Sequence, residues 1–289
     1  MTKVWTVAQV MACLEQLYPQ HLQEDWDKNG LIVGDPQAPV RRILVAVDPV
    51  PATVQEAIGR GSDMLLTHHP LFLRGTSFVS SLTAKGRMVR DLIRADVALA
   101  NAHTNADSAA RGVAWALARA VGLEGEPFEV QDEDANGTAR GLGRVGELPE
   151  PVSLREFAHR VARALPAGPH GIFVGLPDTM SWDEPIQRVA VSGGAGDSFL
   201  ERVRELGAQV YVTADLRHHP ATEHLLEGGP ALICGSHWAT EWLWLETLAS
   251  DLRAQAQCEG IEVEVAVSGL VTEPWALHLP TGVGSTIEE

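Results

Sequence analysis

The chain has 289 residues, 45% of them apolar and 21% charged, a composition typical of a folded protein with one large domain or two ordinary ones. Acidic residues outnumber basic residues 38 to 22, and the resulting net charge of −16 argues against general nucleic-acid binding because it repels phosphate backbones. Three cysteines are too few for a disulfide framework or a thiolate zinc site, so we expect a reduced, soluble, cytoplasmic protein.

The first half of the chain alternates predicted strands with predicted helices. Residues 1–20 have amphipathic helical spacing without the apolar core of a signal sequence, and no apolar run approaches the length of about 18 residues that crosses a bilayer, so we expect no membrane partner. The segments that follow are strand RRILVAVD, helix PVPATVQEAIGRG, strand DMLLTHH, helix AKGRMVRDLIRAD and strand VALANAH. This alternation indicates a mostly parallel sheet, in which ligands bind at the carboxyl ends of the strands. His68, His69 and His103 all fall at that edge.

The second half resumes this alternation after a segment of different character. Residues 124–153 are rich in glycine, proline and acidic residues, and we predict loops with at most short strands there. The later segments are helix LREFAHRVARALPAG, strand RVAVSGG, helix DSFLERVRELG with Asp197 as its cap, and strands AQVYVTAD and ALICGSH.

The two halves repeat one arrangement of residues. GSDMLLTHHPL in the first half parallels GAQVYVTADLRHHPA in the second, and ALANAHTNAD parallels ALICGSHWATE. Each member of the second pair has a histidine followed four residues later by a carboxylate. We therefore predict an α/β fold of two related lobes, with mixed, mostly parallel sheets flanked by helices. The predicted lobes are 1–125, which carries His68, His69 and Asp107, and 126–289, which carries His237 and Glu241; a short connecting region lies at about 123–186.

These histidines and carboxylates suit divalent metal ions. A histidine and a carboxylate four residues apart on a helix share one face, and nitrogen plus oxygen ligands suit zinc, manganese, iron or cobalt. The two such pairs together with His68 and His69 make six potential ligands, enough for two ions that share a carboxylate. Two metal ions about 3.5–4 Å apart activate water, so the pattern predicts hydrolysis or another water-dependent reaction. No Gly-x-Ser-x-Gly motif, Walker loop or complete dinucleotide fingerprint offers a competing chemistry.

The order of six motifs resembles the Nif-three-like dinuclear metal centre family, whose members are often labelled GTP cyclohydrolase I type 2 homologues. The motifs are WDKNGLIVGD, LLTHHPLF, NAHTNAD, GLGRVG, YVTADLRHHPA and GSHWATE, and the resemblance extends from about residue 6 to residue 248. It implies a two-lobed α/β protomer, a toroidal homohexamer built as a trimer of dimers, and two divalent metal ions per chain (zinc, iron or manganese). The segment 123–184 is too short for the large inserted domain of the long members, so the chain resembles the compact form.

The resemblance also implies roles for individual residues. The implied metal ligands are His68, His69, Asp107, His237 and Glu241, with Asp107 or Glu241 bridging, and His103 is implied as a further ligand or as the proton-transferring catalytic group.

Two motifs depart from the family pattern. WDKNG has Lys28 and Asn29 where the family usually has Asn and Val. His218, His219 and Pro220 stand where Tyr, His and Asp are common, so we place these two histidines near the site rather than on the metals.

The predicted function is a dinuclear-metal hydrolase acting on a small nucleotide-like or phosphoester substrate. Ring opening of GTP rests on the family label alone. The alternative is a non-enzymatic metal-binding hexamer that stores or delivers metal, or that acts as a regulatory or assembly partner.

Other residues keep two interpretations at this stage. Asp107 is either a ligand or the cap of the following helix, and SGGAGDS (192–198) either cradles an anion or forms a plain turn. Trp26 and Asp27 either orient a ligand or form a structural corner. The tryptophans of the last long helix are predicted to pack in the core or between subunits rather than to hold substrate: Trp238, Trp242 and Trp244.

Overall fold

The computed structural model describes residues 3–279. Its strands are β1 Trp5–Thr6, β2 Gly30–Val33, β3 Pro39–Val40, β4 Arg42–Ala46, β5 Met64–Thr67, β6 Ala98–Asn101, β7 Glu124–Glu126, β8 Glu129–Glu133, β9 Ala139–Leu142, β10 Arg144–Ser153, β11 Phe173–Gly175, β12 Pro185–Ala195, β13 Val210–Ala214, β14 Ala231–Gly235 and β15 Glu264–Val267. Its α-helices are α1 Val7–Leu17, α2 Pro51–Gly59, α3 Ala84–Arg94, α4 Thr104–Ser108, α5 Val113–Ala120, α6 Leu154–Ala164, α7 Leu200–Glu205, α8 His218–Leu226 and α9 His237–Glu259.

Two larger sheets carry the fold. The first has the order β15-β4-β5-β6-β2, with β15, β4, β5 and β6 parallel and β2 antiparallel. The second has the order β11-β14-β13-β12-β10-β7, and its central strands β12, β13 and β14 are parallel. The prediction of an α/β fold with mixed sheets flanked by helices is confirmed.

Helix α9 joins the two sheets. Ser236 caps its first turn by accepting a hydrogen bond from the amide of Ala239, and Gly260 ends it in the left-handed conformation at φ 67°. The helix contacts β4 and β15 of the first sheet and β12 and β13 of the second. Its buried apolar residues belong to one hydrophobic core that both sheets share. The carboxyl ends of the parallel strands in both sheets are thereby held around one place.

The course of the chain between the sheets is less simple than a division into two halves. Strand β15, from the C-terminal part of the chain, pairs with β4 in the first sheet, and β7 pairs with β10 in the second. The division into lobes 1–125 and 126–289 stays a prediction.

Two local predictions are wrong. Asp197 does not cap the helix that follows, because residues 197–199 form a 3₁₀ turn and the Asp197 carboxylate accepts a hydrogen bond from Arg217 instead. The segment predicted as loops with short strands contains β10, a strand of ten residues that pairs with β12 near both of its ends and with β7 at residues 145–147. Glycine at positions 125 and 146 permits the close pairing of β7 and β10, since a Cβ at either position would clash with backbone atoms of the other strand.

No helix within residues 3–279 combines the length and the apolar character that a membrane span requires.

We expect Arg144→Met to destabilise the protein strongly. The guanidinium of Arg144 is buried and donates hydrogen bonds to the carbonyls of Gly141, Gly143, Ala109 and Ala110, and burial lowers its pKa to about 10. Methionine fills similar volume but leaves these carbonyls without a donor. The free energy of unfolding, measured by urea denaturation, should fall by about 3 kcal/mol.

Arg155→Met is the matched control for this variant. The Arg155 side chain is half-exposed and lies 3.7 Å from Asp183, a pairing too solvated to contribute much. A loss in the Arg144 variant no larger than in this control would contradict the bridging role of Arg144.

Candidate metal centre

Strand ends and helix starts from both sheets converge on one cluster of side chains. His68 and His69 directly follow β5, and His103 follows the neighbouring parallel strand β6 by two residues. Asp107 lies in α4 just after this strand, and β14 leads into α9, which begins at His237 and carries Glu241 one turn later. The structure thus brings together all six side chains that the sequence pattern singled out.

The carboxylate of Glu241 lies at the centre of this cluster. Its Oε1 atom is 2.9 Å from His237 Nε2 and 3.4 Å from His68 Nε2, and its Oε2 atom is 3.2 Å from His69 Nε2. The Glu241 side chain is only 3% exposed. Asp107 lies at the edge of the cluster, with Oδ1 3.6 Å from His68 Nε2.

The potential ligand atoms form two overlapping groups. One contains His68, His69 and His103, the other contains His69, His237 and Glu241, and within each group the atoms lie within 4.8 Å of one another. His69 belongs to both. Such a buried cluster of histidines and a glutamate could bind a metal ion.

Acceptors behind the rings determine which nitrogen of each histidine faces the cluster. The Nδ1 atoms of His69 and His237 each lie 2.7 Å from a carboxylate oxygen, of Asp48 and Asp215 respectively. With the Nδ1 proton held by these acceptors, the neutral rings present Nε2 lone pairs to the cluster. The two Nε2 atoms are 3.2 Å apart, and two lone pairs at that distance repel unless a cation or an added proton lies between them.

His68 shows the same orientation with a backbone acceptor. Its Nδ1 lies 3.0 Å from the carbonyl oxygen of Ala102, and its Nε2 is buried without a hydrogen-bond partner. Glu241 Oε2 is likewise buried without one. Two orphaned buried atoms in a single cluster are costly, at about 1–3 kcal/mol each, and a bound cation would satisfy both. The residues therefore fit a divalent metal.

The electrostatics of the cluster also favour added positive charge. Burial alone lowers the pKa of His69 and of His237, but the Glu241 carboxylate outweighs burial and raises these values to about 10 and about 11. Burial opposes ionisation of Glu241, yet the charges of His69 and His237 hold its pKa well below the ordinary value. Burial raises the pKa of Asp107. The site demands positive charge, which protons or metal ions can supply.

His103 has its own carboxylate partner. Its Nδ1 lies 3.0 Å from Oδ1 of the fully buried Asp27, whose Oδ2 accepts hydrogen bonds from the backbone and the hydroxyl of Thr104. Burial works against ionisation of Asp27, but the hydrogen bonds from His103 and Thr104 outweigh it and lower its pKa. Trp26 packs edge-on against His103 with ring centroids 5.8 Å apart. Trp26 and Asp27 form a structural corner that holds the His103 ring in place, and an orienting role toward a ligand stays a prediction.

Asn29, one of the residues that depart from the family motif, also supports this corner. The side-chain oxygen of Asn29 accepts a hydrogen bond from the backbone amide of His103 at 2.7 Å and another from Asn101.

A cavity of about 470 Å³ opens directly onto the cluster, and Gly193 and Gly194 line it beside Glu241. Gly194 has φ +66°, and a Cβ there would lie 2.6 Å from Glu241 Oε1, so only glycine leaves the carboxylate in place. The amide of Gly194 donates to Thr240 Oγ1 and that of Gly196 to the carbonyl of Ala214. Because these two amides already donate hydrogen bonds within the protein, they are not free to bind an anion, which counts against the anion cradle considered for SGGAGDS.

Other sequence signals lie outside the cluster. His218 and His219 are exposed at the start of α8, where their rings pack on each other, and neither lines the cavity. Asp107 does not cap α5, since that helix begins after Gly112. Trp238 and Trp244 are buried in the core, as predicted, and Trp244 also packs edge-on against His68.

Sequence reasoning missed Asp48 and Asp215. Each is the last residue of a segment predicted as a strand, RRILVAVD and AQVYVTAD; Asp215 directly follows β13, and Asp48 follows β4 by two residues. An acid at the carboxyl end of a parallel strand was therefore the available signal. Asp215 also has a positive φ of 52°, uncommon for a non-glycine residue.

The chain matches a family model described as Duf34/NIF3 (NGG1p interacting factor 3) over residues 5–274. A protein of Streptomyces coelicolor named GTP cyclohydrolase 1 type 2 homolog is 46% identical over 282 residues, which cover 97% of each chain. A protein of the same name from Mycobacterium tuberculosis is 33% identical over 381 aligned positions, covering 96% of this chain and 98% of that protein. Because 381 exceeds the 289 residues present here, that relative contains segments that this chain lacks.

Solved structures resemble the whole fold. A Bacillus cereus protein related to NIF3 superposes with a TM-score of 0.87 at 23% identity, covering 96% of this chain and all of that one. A Staphylococcus aureus hypothetical protein has a TM-score of 0.86 at 26% identity, with the same coverage.

We expect Asp48→Asn and Asp215→Asn to lower metal affinity about 10–100-fold each, because an amide is a weaker acceptor and can turn its NH₂ group toward the histidine Nδ1. Competition with a chromophoric chelator measures this affinity. Asp183→Asn is the control, since that carboxylate is 87% exposed. Affinities equal to the control value would show that the two carboxylates do not tune the ligands.

Proposed function

Because the chain belongs to the Duf34/NIF3 family, we propose that it is a metal-dependent hydrolase with a dinuclear centre, acting on a small nucleotide-like or phosphoester substrate. The observation that carries this proposal is the convergence of imidazole Nε2 atoms and carboxylate oxygens at the wall of an open cavity. The name of the two relatives, GTP cyclohydrolase 1 type 2 homolog, agrees with a nucleotide-like substrate. That name describes those proteins.

We assign the metal ligands to the predicted set of five: His68, His69, Asp107, His237 and Glu241. The division of the cluster into two overlapping groups supports two ions rather than one. Glu241 suits a bridging role because its two oxygens face different histidines, Oε1 toward His237 and Oε2 toward His69. Divalent ions such as zinc, iron or manganese supply Lewis acidity when bound, lowering the pKa of water and stabilising oxyanions.

His103 is assigned to proton transfer. The Asp27 carboxylate lies 3.0 Å from its Nδ1, which fixes the orientation of the ring. The other ring nitrogen is then the one that exchanges protons with substrate, and the side chain lines the cavity while remaining 13% exposed. A general acid or base needs this combination of a fixed ring and access to the reacting group.

The open cavity favours catalysis over metal storage. His69, Asp107, His237 and Glu241 all line it, so a small molecule can approach the metal ligands directly. A storage or structural site would close its ligand shell away from such a space.

We also propose the predicted homohexamer. The loop between β5 and α3 exposes large apolar side chains, with Phe78 83%, Val79 52% and Leu82 91% exposed. An apolar patch of this kind marks a protein–protein interface. Light scattering coupled to size-exclusion chromatography should give six times the chain mass of 31.1 kDa. The measured mass of the Leu82→Glu variant should be lower, because the contact would desolvate the added charge. A monomeric wild-type protein would contradict the proposed homohexamer.

We expect His103→Ala to lose about 10²–10⁴-fold in turnover of whichever nucleotide or phosphoester the wild type cleaves. Elemental analysis of the same preparations should find about two metal equivalents per chain in the wild type and in the variant. The control is His159→Ala, an exposed position on α6.

Three results would count against the proposal. Undiminished turnover in the His103 variant would remove this residue from the mechanism. A wild-type protein that binds no metal after resupply with zinc, iron and manganese would end the metal mechanism. Full metal content without turnover of any substrate class would favour the storage or delivery alternative.

A further inference from the structure

We propose that the cavity at the metal centre selects a planar heteroaromatic compound carrying no more than one phosphate, and that it discriminates against nucleoside triphosphates. The inference rests on the proposed function only in that it places the substrate in this cavity.

The cavity contains no lysine or arginine among its lining residues, all of which lie within the described part of the chain. Its ionisable side chains are three carboxylates and three imidazoles: Glu24, Asp107, Glu241, His69, His103 and His237. Proteins that bind triphosphates neutralise them with lysine, arginine or a ring of backbone amides. None of these side chains is present in the lining, and the amides of Gly194 and Gly196 are already bonded within the protein.

Metal ions at the centre would not supply the missing positive charge. Four carboxylates surround the ligand cluster, two within it and two behind its histidines: Asp107, Glu241, Asp48 and Asp215. Their combined charge balances that of two divalent ions. A single phosphate, carbonyl or hydroxyl group can still approach a metal, whereas a polyphosphate would enter a neutral site within a protein of net charge −16.

Arg74 and Lys28, which lie close in sequence to the lining residues Leu73 and Trp26, do not themselves line the cavity. Four other basic residues are engaged elsewhere. Arg140 pairs with Asp132, Arg217 pairs with Asp197, and the buried Arg144 donates to backbone carbonyls. The ammonium of Lys85 lies over the ring of Phe72, 5.7 Å from its centroid.

Apolar side chains and two glycines form much of the remaining wall. The indole of Trp26 is 58% exposed at the cavity, and Phe199, Leu73 and Leu142 also line it. Gly193 and Gly194 line the cavity without side chains, beside Glu241 and His237. A volume of about 470 Å³ is large enough for a heterocycle with its sugar. Stacking of a base on an aromatic side chain contributes about 1–3 kcal/mol, which makes Trp26 the expected platform.

Equilibrium dialysis of the metal-containing protein against guanosine, GMP and GTP tests the charge argument. Elemental analysis after dialysis verifies that GTP has not stripped metal from the protein. Guanosine and GMP should bind at least about tenfold more tightly than GTP at low ionic strength, with a smaller difference at high salt. Equal or tighter binding of GTP would overturn the proposal, as would no binding of guanosine and GMP.

Substitution of Trp26 tests the stacking argument. Trp26→Ala should weaken guanosine binding about tenfold, and Trp26→Phe should restore most of it, because any aromatic face can stack. Trp275→Ala is the control, since that indole is 64% exposed but lines a different cavity. Unchanged binding in Trp26→Ala would refute the assigned platform.

These measurements separate this inference from the proposed hydrolysis. Dialysis detects binding whether or not a bond is cleaved, so bound guanosine with no product would uphold the inference while counting against the hydrolase. Efficient turnover of GTP would uphold the hydrolase and refute the inference.

Discussion

The buried carboxylate of Glu241 imposes the constraint on which the rest of the site depends. It faces the Nε2 atoms of His68, His69 and His237 at 2.9–3.4 Å, in a position almost closed to water. A carboxylate is not buried without compensating positive charge, and imidazoles that turn lone pairs toward one another repel. The fold can hold this cluster only because a cation, a proton or a metal ion, is part of it.

Helix α9 makes that cluster possible by bridging two sheets. Its first turn carries His237 and Glu241, while its later turns pack in the core shared by both sheets. His68 and His69 come from the end of β5 in the other sheet, so packing along α9 determines the distance between the two halves of the site. Packing of the core therefore also sets the distances between the clustered side chains. Substitutions in α9 far from Glu241 should change those distances.

Carboxylates behind the histidines determine the orientation of the rings and contribute to the charge of the site. Asp48, Asp215 and Asp27 each lie within 3.0 Å of the Nδ1 atom of a different histidine, which fixes the orientation of that ring. Together with Asp107 and Glu241, Asp48 and Asp215 would balance the charge of the two proposed divalent ions. The orientation of the histidine rings and the proposed discrimination against polyphosphates would then have the same electrostatic origin.

Local patterns in the sequence determined the α/β fold class, the family and the identity of the six clustered side chains. They did so because each pattern, a strand ending in His-His or a histidine four residues before an acid, involves residues that are close together in the sequence. The tertiary structure alone decided which acid supports which histidine, where the cavity opens, and that β15 returns to the first sheet. His69 and His237 are 168 residues apart, and no local pattern encodes their 3.2 Å approach. The repeated His-His-Pro at 218–220 is the counterexample: the same letters begin an exposed helix, because the chain there has already left the strand edge.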